Sequence, residues 1–429
     1  MKKLNSLNSF FLLLFIFFTL KIKCNYIGMP LINNTNETYT KNSYKILFRN
    51  IKYLNNTIVF RNTPRNSNLK STFEKFNDNN KIFEPWPIND NYDYNNNNLL
   101  LNCSFFISII SFEFDEENNI YLLDEGNDNC PIGIFKFNAA GQFINKYSIY
   151  NRSNNNNINL TNFVIDKINN YYYIPFTDIS YDKKYEVGIF KRKIDEKDKG
   201  ECITLNNDKF LSEERYNYSD IFKNYSNYDK FLEQNKMINI ALSCDAKYLL
   251  ISPLSSRMIY SILTQNLIKS EKNISINDVK EAYKNDISSA LISSNLGNLY
   301  LTGLEQKVIY MAGQIDYDLS IFDFKILDEI SNYNDNDFPT HLYITDGNLL
   351  INYINIYKNN SDSQLYINTK IYIIPTDKEK SYIFKCGGLI YKWNWNSYII
   401  WSFFCIIFGL ILAFVYIGNQ QDIDINKKN

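Results

Sequence analysis

Residues 118–138 read NNIYLLDEGNDNCPIGIFKFN, two apolar runs on either side of a corner made of Asp, Glu, Gly, Asn, Cys and Pro. Short runs rich in β-branched and aromatic residues, bounded by such breakers, are strands joined by turns. The leading turn and strand recur as NNTIVF from Asn55, NNYYYI from Asn169, AKYLLI from Ala246, GNLYLT from Gly297 and GNLLIN from Gly347. Most of these turns follow another apolar run: SFEFD from Ser111, NFVID from Asn162, NIALS from Asn239, ALISS from Ala290 and THLYI from Thr340. A third run comes after, as in GIFKFN from Gly133 and VIYMAG from Val308. Strand, turn, strand, loop, strand at intervals of roughly fifty residues is the pattern of a β-propeller, and six turns predict an all-β, six-bladed ring. The long interval between Asn169 and Ala246 contains EERYNYSDIFKNYSNYDKFLEQ, where a helix-bearing insertion is expected. Between Ile82 and Pro375 helical periodicity is otherwise almost absent.

The 429 residues carry 45 Lys and Arg against 46 Asp and Glu, a formal net charge of −1. No basic field exists to gather polyanions, so no nucleic-acid partner is expected. A single histidine, His341, rules out paired-histidine metal motifs and most acid–base constellations. Runs such as NYDYNNNNLL and NRSNNNNINL read as loops.

Both ends carry membrane-directed signals. Lys2 and Lys3 precede an apolar run from Phe10 to Leu20, the make-up of a cleaved signal peptide over residues 1–24. Near the C-terminus, Ile399 to Ile417 holds no charge, and aromatic Trp393, Trp395, Tyr398 and Tyr416 flank it. At ~1.5 Å per residue that run approaches the hydrocarbon thickness of a bilayer. The expected organisation is a signal peptide at 1–24, an Asn-rich segment at 25–42, a propeller at 43–380 and a juxtamembrane linker at 381–397. A transmembrane helix at 398–418 and a cytosolic tail at 419–429 complete it. This is a single-pass type I protein whose body is extracellular or lumenal in the secretory or endolysosomal pathway. Glycosylation acceptors stand at Asn33, Asn36, Asn55, Asn102, Asn151, Asn159, Asn217, Asn224, Asn273 and Asn359. The oxidising compartment permits disulfides, expected as Cys103–Cys130 and Cys202–Cys244, with Cys386 left over.

The opening stretch also resembles a family. LLDEGNDNCPIGIFKFN is similar to the Leu-Asp-x-Gly, Cys-Pro and Phe-Asp segment of the yellow and major royal jelly proteins. The resemblance continues through IVFRNTPRNSNLKSTFEKF (Ile58 to Phe76), EPWPIND (Glu84 to Asp90), ISPLSSRMIYSI (Ile251 to Ile262), GNLYLTGLEQKVIYMA (Gly297 to Ala312) and DFPTHLYITDGNLLIN (Asp337 to Asn352). It implies a six-bladed propeller, and among relatives it implies pigmentation factors credited with dopachrome conversion, nutritive proteins and binders of biogenic amines. The family's Phe-Pro-Asp-Gly segment reads Phe338, Pro339, Thr340, His341 here, so its amine-binding residues do not carry over.

Asp124 and Glu125 invite a catalytic reading, but strand neighbours point to opposite faces, and Asp124 is expected to cap its turn through side-chain to backbone hydrogen bonds. Ser255 and Ser256 sit in PLSSR with no nucleophile elbow and no histidine nearby, and read as turn residues. The innermost strands precede the turns, so their first residues should ring one end of the central tunnel. By spacing that ring is Ser111, Asn162, Asn239, Ala290 and Thr340, with His341 one step on. It contains no carboxylate, which argues against calcium, zinc, any other cofactor and a metal-dependent lactonase. A neutral polar ring fits a small polar organic ligand held by hydrogen bonds, with His341 titrating near neutrality. A dopachrome-converting isomerase and an adhesive ectodomain are the competing functions.

Overall fold

The computed structural model describes residues 37–39, 50–54, 58–62, 73–77, 82–87, 103, 106–151, 158–179, 185–194, 200–205, 238–254, 256–284, 286–312, 324–329, 337–345, 347–358 and 365–376. The segments 1–24, 213–234, 381–397 and 398–418 lie outside them. Among the described residues no helix is long and apolar enough to cross a membrane.

Six sheets arise in chain order. The first holds β2 (Asn50–Leu54), β3 (Ile58–Asn62), β4 (Phe73–Asn77) and β5 (Ile82–Pro85). The second holds β6 (Ile109–Phe114), β7 (Ile120–Asp124), β8 (Ile132–Phe137) and β9 (Phe143–Tyr150). In the third, β10 (Ile158–Leu160) and β11 (Val164–Asp166) together form the inner edge against β12 (Tyr171–Ile179), followed by β13 (Tyr185–Lys193) and β14 (Glu201–Leu205). The fourth is β15 (Ile238–Leu242), β16 (Tyr248–Pro253), β17 (Met258–Leu263) and β19 (Val279–Lys284). The fifth is β20 (Leu291–Ser293), β21 (Leu299–Gly303), β22 (Val308–Ala312) and β23 (Phe324–Glu329). The sixth is β24 (Asp337–Thr345), β25 (Asn348–Lys358) and β26 (Leu365–Pro375). Each is an antiparallel blade, and together they make the six-bladed propeller that the repeat predicts.

The repeated turn has a conformational cause. Asn118, Asn170, Ala246, Gly297 and Gly347, one at each turn from the second blade to the sixth, have φ of 62°, 66°, 54°, 85° and 79°. Left-handed backbone favours Gly and Asn, so the repeat writes those residues there. Asp115, Asp166 and Ser294 brace these turns with side-chain oxygens that accept from backbone N–H groups of Asn119, Asn169 and Asn298.

Aromatic residues fill the faces between blades. Phe60, Phe73, Trp86, Phe112, Phe137 and Tyr343 pack into one cluster joining the first, second and sixth blades, with Phe73 and Phe112 ring centroids 5.0 Å apart. Edge-to-face pairs of this kind add about 0.5–1.5 kcal/mol each beyond burial.

Three features were not foreseen. The strand β1 (Glu37–Tyr39) pairs with β26, so the N-terminal segment supplies the outer strand of the last blade. A helix, α1 (Thr264–Lys269), and a two-residue strand, β18 (Asn273–Ile274), interrupt the fourth blade, and β18 runs parallel to β14 of the third. Buried Lys191 donates to Leu267 O, Ile268 O and Ser270 O at 3.0, 2.8 and 2.7 Å, capping the free carbonyls of α1.

The cysteines divide. Cys103 and Cys130 are joined, with Cα atoms 5.1 Å apart. The expected Cys202–Cys244 bond is absent: Cys244 is disulfide-bonded while Cys202 is a thiol on β14. That strand lies in the third blade and Cys244 in a turn of the fourth, so closeness in the sequence pattern did not bring them together. Of the glycosylation acceptors in described residues, Asn151 and Asn273 are exposed and Asn159 is half-buried.

Candidate functional site

The innermost strands converge on a tunnel mouth open to solvent. Ser111, Asn162, Asn239, Ala290 and His341 line it, as strand spacing predicts. Thr340 does not. A register shift between Pro339 and His341 makes Thr340 the extra residue of a bulge, and its Oγ1 turns to donate to Asn352 O at 3.3 Å. Bulges re-aim side chains, and here His341 takes the tunnel position instead. The second blade has the same irregularity between Ile109 and Ser111.

Two charged lining residues lie outside the predicted ring. Lys52 of β2 and Glu113 of β6 form a buried ion pair at 2.5 Å. Lys52 Nζ also donates to Phe112 O and sits 5.2 Å from the ring centroids of both Phe112 and Tyr343. The expectation of a mouth without carboxylates is therefore corrected by Glu113. It was legible, since Glu113 lies two residues beyond Ser111 and strand alternation puts both on one face. Lys52 was harder to see because the repeat assigned no inner strand to the first blade. Among the described residues, no group of three His, Cys, Asp or Glu is placed to hold a metal.

Burial governs the electrostatics. It pulls the Lys52 ammonium below its ordinary pKa and pushes the Glu113 carboxyl above its own, each partly restored by the other's charge. Burial, with the Lys52 charge second, lowers the His341 imidazole to about 3. His341 is therefore neutral at physiological pH and does not titrate near neutrality as expected. Its side chain is only 8 % exposed, and Nδ1 is buried without a hydrogen-bond partner.

The ring amides hold blades together. Asn162 Nδ2 donates to Ile240 O at 3.1 Å, and Asn239 Nδ2 to Ser289 O at 2.7 Å. Asn62 Nδ2 reaches Ile110 O at 2.7 Å, and Asn352 Nδ2 reaches Ile51 O at 3.2 Å. Ser289 Oγ donates to Pro339 O. Each of these bonds crosses from one blade to the next. Sequence spacing found Asn162 and Asn239, but their donors close seams and do not face into the tunnel.

The other candidates are structural. Asp124 Oδ1 accepts from Ile107 N and Ser108 N at 2.9 and 2.7 Å, so it anchors the segment leading into β6 and does not cap its own turn as expected. Burial pushes its carboxyl up to about 7 against those two bonds. The corner beyond it is tight: a Cβ on Gly126 would lie 2.4 Å from Cys130 O. Ser256 Oγ accepts from Met258 N, the turn role expected of it.

No protein-family model and no curated protein matches the sequence. Among solved structures, the chain is similar to the Swd1 β-propeller domain of Myceliophteria thermophila, at 8 % identity and TM-score 0.41 over 82 % of this chain and 90 % of that one. It is also similar to a periplasmic gluconolactonase of Pseudomonas aeruginosa, at 9 % identity and TM-score 0.40 over 72 % and 81 %. A third likeness is to a calcium-binding regucalcin of Agrobacterium tumefaciens, at 8 % identity and TM-score 0.39 over 83 % and 97 %. The propeller assignment rests on the chain's own six sheets.

Proposed function

We propose that the protein is a glycosylated propeller of the yellow and major royal jelly type that binds a small polar organic ligand at the tunnel mouth. A signal peptide and the 398–418 helix would make it a single-pass type I membrane protein with its body outside the cytosol. The observation that carries the binding reading is the tunnel mouth itself, where Glu113, Ser111 and neutral His341 converge from two blades among apolar Val164, Ile240 and Leu291. Binding sites combine a mostly apolar lining with a few convergent polar groups in this way.

One observation favours an isomerase as a second reading: a carboxyl raised by burial and a neutral imidazole line the same mouth, and such a pair can exchange protons with a substrate. Native mass spectrometry of the full-length chain separates the readings. A small molecule released unchanged supports binding, whereas conversion of dopachrome by the same preparation supports the isomerase. A chain that neither carries nor converts a small molecule overturns both. For topology, glycosidase treatment lowers the apparent mass, and a tag after Asn429 is cut by protease outside sealed microsomes. A protected tag overturns the type I orientation.

A further inference from the structure

The polar atoms at the tunnel mouth fall into two sets. Its nitrogen donors each already make at least one bond, Lys52 Nζ to Phe112 O and Glu113 Oε1, Asn162 Nδ2 to Ile240 O, and Asn239 Nδ2 to Ser289 O, while among the described residues Ser111 Oγ makes none. The acceptors are left open. Among the described residues, Glu113 accepts through Oε1 only, Asn239 Oδ1 takes none, and His341 makes none at either ring nitrogen. His341 is more than nine-tenths buried, so an unsatisfied imidazole there carries a real cost.

A ligand that matches this mouth must donate hydrogen bonds. Lys52 stands against a cationic donor, since its ammonium already faces the same space and is already short of solvation. The open Glu113 oxygen stands against an anion. A hydroxyl meets neither objection. It both donates and accepts, so it satisfies a neutral imidazole in either tautomer, whereas an ammonium or a carboxylate fits only one. Several hydroxyls are needed to reach acceptors on β6, β15 and β24 together, and the apolar residues between them suit a carbon skeleton.

We propose that the tunnel mouth receives a small, uncharged, polyhydroxylated molecule whose hydroxyls donate to Glu113 Oε2, Asn239 Oδ1 and His341 and bond to Ser111 Oγ. This deepens the tunnel-binding reading and depends on it.

His341 is the chain's one histidine, which gives a clean reporter. Diethyl pyrocarbonate carbethoxylates neutral imidazole, and its reaction with full-length protein in detergent follows this site alone among histidines. Three probes are compared at equal millimolar concentration: sorbitol, gluconate and choline. Sorbitol is expected to slow His341 modification about threefold or more, a change of at least ~0.6 kcal/mol, while gluconate and choline leave the rate unchanged. Ser111→Ala, which breaks no seam bond, is expected to raise the sorbitol concentration for half-protection about three- to tenfold through the loss of one neutral hydrogen bond. Protection by gluconate or choline equal to that by sorbitol overturns the uncharged-ligand proposal and leaves tunnel binding standing. No protection by any of the three overturns both.

Discussion

Asp124 and Glu113, two carboxyls that the second blade takes out of water, behave differently. Asp124, at the end of β7, receives two backbone N–H groups of its own blade, beside a corner tied by Cys103–Cys130. Glu113, on β6, receives one side-chain ammonium from another blade and keeps an oxygen open. The first acid is fixed by main-chain N–H groups and is not part of the tunnel lining. The second is held by a side chain and lines the tunnel mouth with an oxygen open, which is the condition for meeting a ligand. The difference separates scaffold from site more reliably than residue type does.

The largest test of this contrast is Asp124→Ala. It strands two buried N–H groups, and at about 1–3 kcal/mol each the loss of stability is roughly 2–6 kcal/mol. Asp124→Asn keeps a carbonyl oxygen and should cost much less. Urea denaturation with unchanged m-value measures both, and a tunnel change such as Ser111→Ala that destabilised as much as Asp124→Ala would break the contrast. Next comes the corner's bond. Cys103 and Cys130 are 27 residues apart, and in the chain-entropy model Cys103→Ser removes about 3.5 kcal/mol. Non-reducing peptide maps should recover the Cys103–Cys130 link.

Asn239→Leu sharpens the role of the ring amides. Leaving Ser289 O without its donor costs about 1–3 kcal/mol of stability, so the variant should show a lower denaturation midpoint whether or not ligand is present. An unchanged midpoint would return Asn239 to a pure ligand contact. The pH dependence is comparable per unit. Burial raises Asp124 to about 7 and Asp286 to about 6 from 3.8, and raises Asp166 as well. The folded state then binds protons more tightly than the unfolded chain. Stability from these groups is fullest below the unfolded pKa and falls as pH rises towards the folded values, by about 1.4 kcal/mol per unit for Asp124 and for Asp286 within their windows, while His341, lowered to about 3, works the other way up to its ordinary 6.5. A midpoint higher at about pH 7.5 than at about pH 5 would contradict this. The smallest effect is a null one. With a pKa of about 3, His341 should react with diethyl pyrocarbonate at the same rate across about pH 5 to 7.5, where an ordinary histidine, near 6.5, gains reactivity roughly thirtyfold.

The blades were legible because backbone geometry constrains residue type. A left-handed turn writes Asn118, Asn170, Gly297 and Gly347 into the sequence at a fixed distance from each strand. That distance also brought Ser111, Asn162, Asn239 and His341 to one mouth. What it could not supply was the bulge that hides Thr340, since an inserted residue leaves no compositional mark. Nor does a sequence say whether an asparagine amide turns to a ligand or to the next blade's carbonyl. Lys52 and Glu113 meet across 61 positions, and Cys202 failed to meet Cys244 across far fewer; long-range pairing is decided by the ring's closure, which local pattern does not encode.

The closure itself runs between residues made early and residues made late. Tyr39 pairs with Leu365 and Glu37 with Ile367. At roughly 5–20 residues per second, a ribosome needs on the order of 15 to 60 s to deliver the partner. Through that interval Phe60 and Phe73 of the first blade wait for Tyr343, Leu350 and Ile371 of the sixth, and β1 has no strand to pair with. A chain cut short before Leu365 would leave β1 without its partner.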